Sequence, residues 1–163
     1  MLFRSSDEPL EHATAALASG EMVAIMPQGT IPRGPAFFDP ELKGRWGAAR
    51  LALATGARIV PVGLWGTEKV WPRNAKVPNL ATVTNPPRVM VTTGESFSLG
   101  TNTEPTPDEL DAATKRIMSA IVELLPEEAR RTYTPTEEEL RRTYPSSYKG
   151  DPHAEATRRP GTD

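Results

Sequence analysis

The chain has 163 residues, 37% of them hydrophobic, with 17 prolines and a net charge of −2; this suits one domain with a core and a more polar remainder. It has no cysteine and two widely separated histidines, which excludes a disulfide framework, a thiolate nucleophile and a histidine-built metal site. No apolar run reaches the length of a membrane span and no signal peptide precedes the first helix, so the composition predicts a soluble, cytoplasmic protein.

In chain order, residues 7–19 read as a helix, with Leu10, Ala13 and Leu17 on one face and Gly20 as its stop. Met22 to Met26 reads as a buried strand. Residues 27–42 form a loop, because Pro27, Pro32, Pro35 and Pro40 exclude regular structure. A second helix is expected from Lys43 to Thr55, with Trp46, Ala49 and Leu53 as its apolar stripe and Gly56 ending it. Ile59 to Leu64 is the next strand, weakened or bulged at Pro61. Residues 66–87 read as irregular and Arg88–Thr92 as another strand. Thr106-Pro107-Asp108-Glu109 has the form of a capping box with proline at the first helical position, and Leu110, Ala113, Ile117, Ile121 and Leu124 mark the core face that follows. Beyond Pro126 the chain is polar. Arg-Arg-Thr-Tyr occurs twice there, at 130–133 and 141–144, around a short helix expected at 136–142. A disordered tail is expected after Gly150. The order predicts an α/β layered sheet with flanking helices over residues 1–125 and a proline-rich extension over 126–163.

Charge is unevenly spread. Between Gln28 and Arg88 nine basic residues face three acidic ones, giving +6, whereas residues 101–163 sum to −4. A basic middle favours an anionic ligand or surface, and is equally the mark of a solvated basic face. Within it lies the acid-free stretch MPQGTIPRG, Met26–Gly34. Such a stretch is either a surface turn or a loop holding an anion at a strand's carboxyl end, where ligands of open α/β sheets sit. Gly29 lets backbone approach an anion, consecutive N–H groups can cradle its oxygens, Thr30 offers a hydroxyl and Arg33 a guanidinium.

Several of these segments together resemble the glycerolphosphate acyltransferase family, which makes lysophosphatidic and phosphatidic acid. Met26-Pro27-Gln28-Gly29-Thr30-Ile31 is similar to the family's third motif, an apolar residue followed by Pro-Glu-Gly-Thr-Arg. Lys43-Gly44 with Gly47-Ala48-Ala49 is similar to the helix that follows it, and Ile59-Val60-Pro61-Val62 to the fourth motif. Met1 to Arg4 looks like the end of the second motif. The resemblance covers residues 1 to about 100. It implies a C-terminal part of an acyltransferase-like domain, with acyl-CoA or acyl carrier protein as donor, no cofactor, and a phosphorylated glycerolipid as acceptor. It further implies peripheral contact with an anionic membrane surface. On it, Arg4, Gln28, Gly29, Thr30 and Arg33 are expected to bind the acceptor, with Lys43 a further cation. Ile59, Val60, Pro61 and Val62 are candidates for an acyl pocket; read by periodicity they are sheet core.

Two departures matter. Gln28 replaces the family's glutamate and Ile31 its arginine, so Arg33 is the candidate to supply the missing guanidinium. The family's catalytic His-x-x-x-x-Asp is absent: five residues after His12 stands Leu17, and five after His153 stands Arg158. A base must reach the attacking hydroxyl, so no catalytic residue is assigned. The expectation is an N-terminally truncated family member, inactive alone. The alternative is a non-catalytic fragment that binds lipid phosphate or completes a partner. A nucleotide-binding P-loop and a nucleic-acid reader are both poor readings, because their motifs are lacking.

Overall fold

The computed structural model describes residues 8–78 and 86–153. Helix α1 spans Glu8–Ala18 and lies on α2, Gly47–Thr55. The small residues of α2 let it sit deep, with Ala49 fully buried and Leu51, Ala52 and Leu53 nearly so. Strands β1, Val62–Trp65, and β2, Met90–Thr93, pair antiparallel with Val62 opposite Thr93 and Leu64 opposite Val91. Between them comes a single helical turn, α3, at Thr67–Val70. Helix α4, Pro107–Glu123, carries the predicted capping box, with Thr106 and Glu109 bonding each other's backbone. Leu110, Ala113 and Ile117 of α4 meet Ala49 and Leu53 of α2, and Ile59, Phe97, Leu99 and Ile121 close around them. One face of the small sheet covers α4 at Gly63, where a Cβ would come within 2.8 Å of Leu124.

The sheet is smaller than expected. Among the described residues it has two antiparallel strands, not the layered sheet the element order predicts. Met22–Met26 is no strand and is not buried: Met22 is 92% and Met26 80% exposed. The cause is pairing, since an apolar run becomes a strand only when a neighbour takes up its N–H and C=O groups, and β1 is laddered to β2. Ile59 is cut off from β1, as Pro61 suggests. It joins the opposite chain through a separate bridge to Phe97, with hydrogen bonds of 2.8 and 3.0 Å.

Helix α2 begins at Gly47, four residues after the expected Lys43. Before it, the Arg45 N–H donates to the Pro27 carbonyl at 2.7 Å, which holds the chain against the preceding loop. Trp46, expected on the apolar stripe, is 41% exposed, and its indole N–H donates to Asp111 on α4 at 2.7 Å.

Residues past Pro126 fold onto the domain. Helix α5, Glu137–Arg142, has its own capping box from Thr136 and Glu139. Leu140 and Tyr144 are the most buried large side chains, each 2% exposed. Pro152 is buried as well. Residues 154–163 lie outside the described part.

Candidate anion-binding loop

The Met26–Gly34 stretch opens with a tight turn in which Gly29 N–H donates to the Met26 carbonyl at 3.0 Å. Gly29 has φ +66°, a conformation that side chains with a Cβ rarely take. Its open side is covered by Arg45: a Cβ at position 29 would lie 2.7 Å from Arg45 Cδ and 3.0 Å from Nε. The turn requires glycine by its φ, whereas the arginine laid across it is a flexible side chain that can shift. Gly29 and Thr30 are exposed and Gln28 is half-buried. Arg33 is half-buried and extended, at the start of a 3-10 turn over Gly34–Phe37, and makes an intrachain contact of its own.

Arg45 is one of the nine basic residues of this segment, and no local pattern in the sequence marks it. The backbone bond to Pro27 anchors it, its side chain lies against Gly29, and it forms no ion pair with a described residue. Lys43, the other nearby cation, is paired with Asp39 at 3.9 Å. The structure therefore joins Gly29 to a cation that sequence order puts sixteen residues away. Arg4 lies outside the described residues.

The acyl-pocket candidates do not gather into one pocket. Backbone alternation sends them to opposite sides: Ile59 packs on the core and Pro61 is buried, while Val60 is 54% and Val62 45% exposed. Pro61 borders an open groove with Phe97, Arg116 and Leu124. His12 is exposed on α1, and His153 Nε2 is 2.9 Å from Glu137 Oε1. Among the described residues no cluster of acids and histidines could hold a metal, and no helix is long and apolar enough to cross a membrane.

Residues 3–65 match the family model described as Acyltransferase. That match supports the resemblance seen in the motifs, and supports acyltransferase chemistry in general terms. An uncharacterised protein of Mycobacterium leprae (strain TN) is 37% identical over 79 residues. The match covers 47% of this chain and 22% of that protein, so the chain spans only a minor part of this relative's length. No solved structure matches.

Proposed function

We propose that this chain, which carries an acyltransferase-family segment at residues 3–65, holds the phosphate of a glycerol-phosphate or lysophospholipid acceptor in its Met26–Arg33 loop. The reaction served is transfer of a fatty acyl group from acyl-CoA or acyl carrier protein to the acceptor hydroxyl, a step of phospholipid biosynthesis. The observation that carries this reading is the Gly29 turn lying under Arg45. The Gly29 N–H is taken up by Met26, but without a side chain the exposed turn lets an anion come close to a guanidinium that no described acid neutralises. Gln28 and Thr30 add neutral polar groups, and Arg33 a second cation. Arg4 is proposed to join them on the family resemblance alone. Met22 and Met26, exposed next to this basic loop, suit peripheral contact with an anionic membrane.

Acyl transfer needs a base on the attacking hydroxyl. The sequence holds no His-x-x-x-x-Asp, so the chain by itself is expected to bind acceptor without turning it over. Titration calorimetry with lysophosphatidate, and with monoacylglycerol as the ligand lacking phosphate, tests the binding. A charge-assisted contact contributes roughly 1.5–3 kcal/mol, so Arg45→Ala and Arg33→Ala should each weaken lysophosphatidate about ten- to a hundredfold. Arg58→Ala is the control, because Arg58 is occupied by Ser96 at 2.8 Å. Equal affinity for the two lipids, or equal loss at Arg58, would remove the loop from the site. Release of CoA by the pure chain, dependent on acceptor, would show that another residue serves as base.

One observation favours a second reading, a non-catalytic piece that completes a partner. Val60, Val62, Leu64, Val89 and Val91 are all at least 43% exposed. Together they make a bare apolar side on the small sheet, larger than isolated surface hydrophobics need be.

A further inference from the structure

The Arg-Arg-Thr-Tyr repeat has no part in the family motifs and lies outside the matched residues 3–65. Both copies reach the stem of the anion loop. The Tyr133 ring of the first copy lies 5.8 Å from that of Phe38. In the second copy the Thr143 hydroxyl donates to the Leu140 carbonyl at 2.7 Å and accepts the Gly34 N–H at 2.8 Å. The Tyr144 hydroxyl donates to the Pro152 carbonyl at 2.9 Å, and its ring stacks on Tyr148 at 4.2 Å. Gly34, at φ +58°, sits beneath this arrangement. A Cβ there would run into the Pro152 carbonyl oxygen and come within 2.9 Å of the Tyr144 hydroxyl.

We propose that residues 133–152 form a clasp that fixes the stem of the anion loop through Gly34, and that Thr143 and Tyr144 are positioning residues for Arg33, the residue immediately before it. The Thr143 hydroxyl is suited to the task. It is buried, both its polar bonds are made inside the protein, and donation to Leu140 directs its remaining lone pairs at Gly34. Replacing it with valine leaves the Gly34 N–H buried and unpaired. That side chain keeps the shape, so the loss is of the bond and not of packing. The Phe38–Tyr133 contact holds the far side of the same short segment. With its stem held on both sides the loop presents Arg33 in one place, and binding does not have to order it. The functional half of this inference rests on the acceptor-binding reading above; the clasp itself does not.

The test uses the full chain and four proteins: wild type, Thr143→Val, Thr143→Ser and Tyr144→Phe. Hydrogen exchange is read by mass spectrometry on peptides covering residues 31–38, and lysophosphatidate and monoacylglycerol affinities by calorimetry. Loss of one buried bond should speed exchange in that segment by about tenfold and weaken lysophosphatidate by about fivefold or more in Thr143→Val. Tyr144→Phe should do the same, and Thr143→Ser should restore both. Monoacylglycerol affinity should not move, because it has no phosphate for Arg33 to hold. Unchanged exchange in Thr143→Val overturns the clasp. Faster exchange with unchanged lysophosphatidate affinity overturns the positioning role. Equal loss for both lipids, or failure of serine to rescue, makes the effect general unfolding and overturns it too. If wild type binds no lysophosphatidate, the acceptor reading falls and takes the positioning role with it, while the exchange data still decide the clasp.

Discussion

At Gly29 and Gly34 the backbone is left-handed, and in each case another group occupies the space a side chain would need: Arg45 over the first, Pro152 and Tyr144 over the second. The two substitutions should nonetheless differ. Gly29→Ala displaces the far end of a flexible, exposed arginine. It also carries the strain of a left-handed φ, so it should weaken lysophosphatidate in calorimetry and lower the melting temperature, though less than Gly34→Ala does. Gly34→Ala carries the same strain and in addition meets buried backbone. It should cost roughly 1–3 kcal/mol in urea denaturation. Thr114 offers the opposite case. It is 7% exposed, and its hydroxyl has no hydrogen-bond partner among the described residues. Thr114→Val keeps the shape and deletes the orphaned group, so it should leave stability unchanged or raise it. Of these positions, Gly29 could be read from sequence, because an acid-free proline–glycine loop announces its turn. Arg45 could not. Its importance comes from a side chain folding back across sixteen residues, and no local pattern encodes that.

The helices were predicted best, because their signals are local. Thr106 with Glu109 and Thr136 with Glu139 are complete capping boxes, each recorded within four residues of sequence. The strand at Met22–Met26 was predicted wrongly for the converse reason: apolar composition proposes a strand, and only a partner makes one. The two boxes also set a pH window for the helices. Hydrogen bonds from the Thr106 backbone and hydroxyl hold the Glu109 carboxyl below its ordinary 4.5, and those from Thr136, with the Tyr133 hydroxyl, do the same for Glu139. A carboxyl with a depressed folded pKa lends stability that is complete above 4.5 and is lost as pH falls through the folded value. The bond to Glu139 raises the Tyr133 phenol above its ordinary 10.0. Its contribution is therefore present below pH 10 and lost as pH rises through the folded value. Thermal melts followed by circular dichroism should show the acid loss in wild type and a smaller one in a Glu109→Gln, Glu139→Gln double variant. The alkaline loss should be smaller in Tyr133→Phe.

The whole molecule is asymmetric. One side of the two-stranded sheet rests on α4, while the other presents Val62, Leu64 and Val91 to solvent. A sheet this small is sustained by what covers it, so the covered side carries the fold and the bare side is free to change. Leu64→Lys with Val91→Lys should preserve the circular dichroism spectrum and melting temperature. If the bare side is a docking surface, the same pair should abolish self-association or partner binding in analytical ultracentrifugation. The division into a basic middle and an acidic C-terminal part was visible in the composition. That the acidic part returns to hold the basic loop was not, because Thr143 and Tyr144 resemble any polar residues until their burial is seen.

That return has a consequence in time. The hydrogen bond from Gly34 to Thr143 closes a span of 109 residues. Contacts of such separation pay a large loop-closure entropy and form late. On a ribosome, the stretch containing Arg33 emerges before its fastener and stays unfastened until more than a hundred further residues have been made. Nascent chains stalled before Leu140 should therefore be cut by protease near residues 31–38, and full-length chains released from the ribosome should resist. The order of synthesis would then keep the loop slack until the chain that secures it exists.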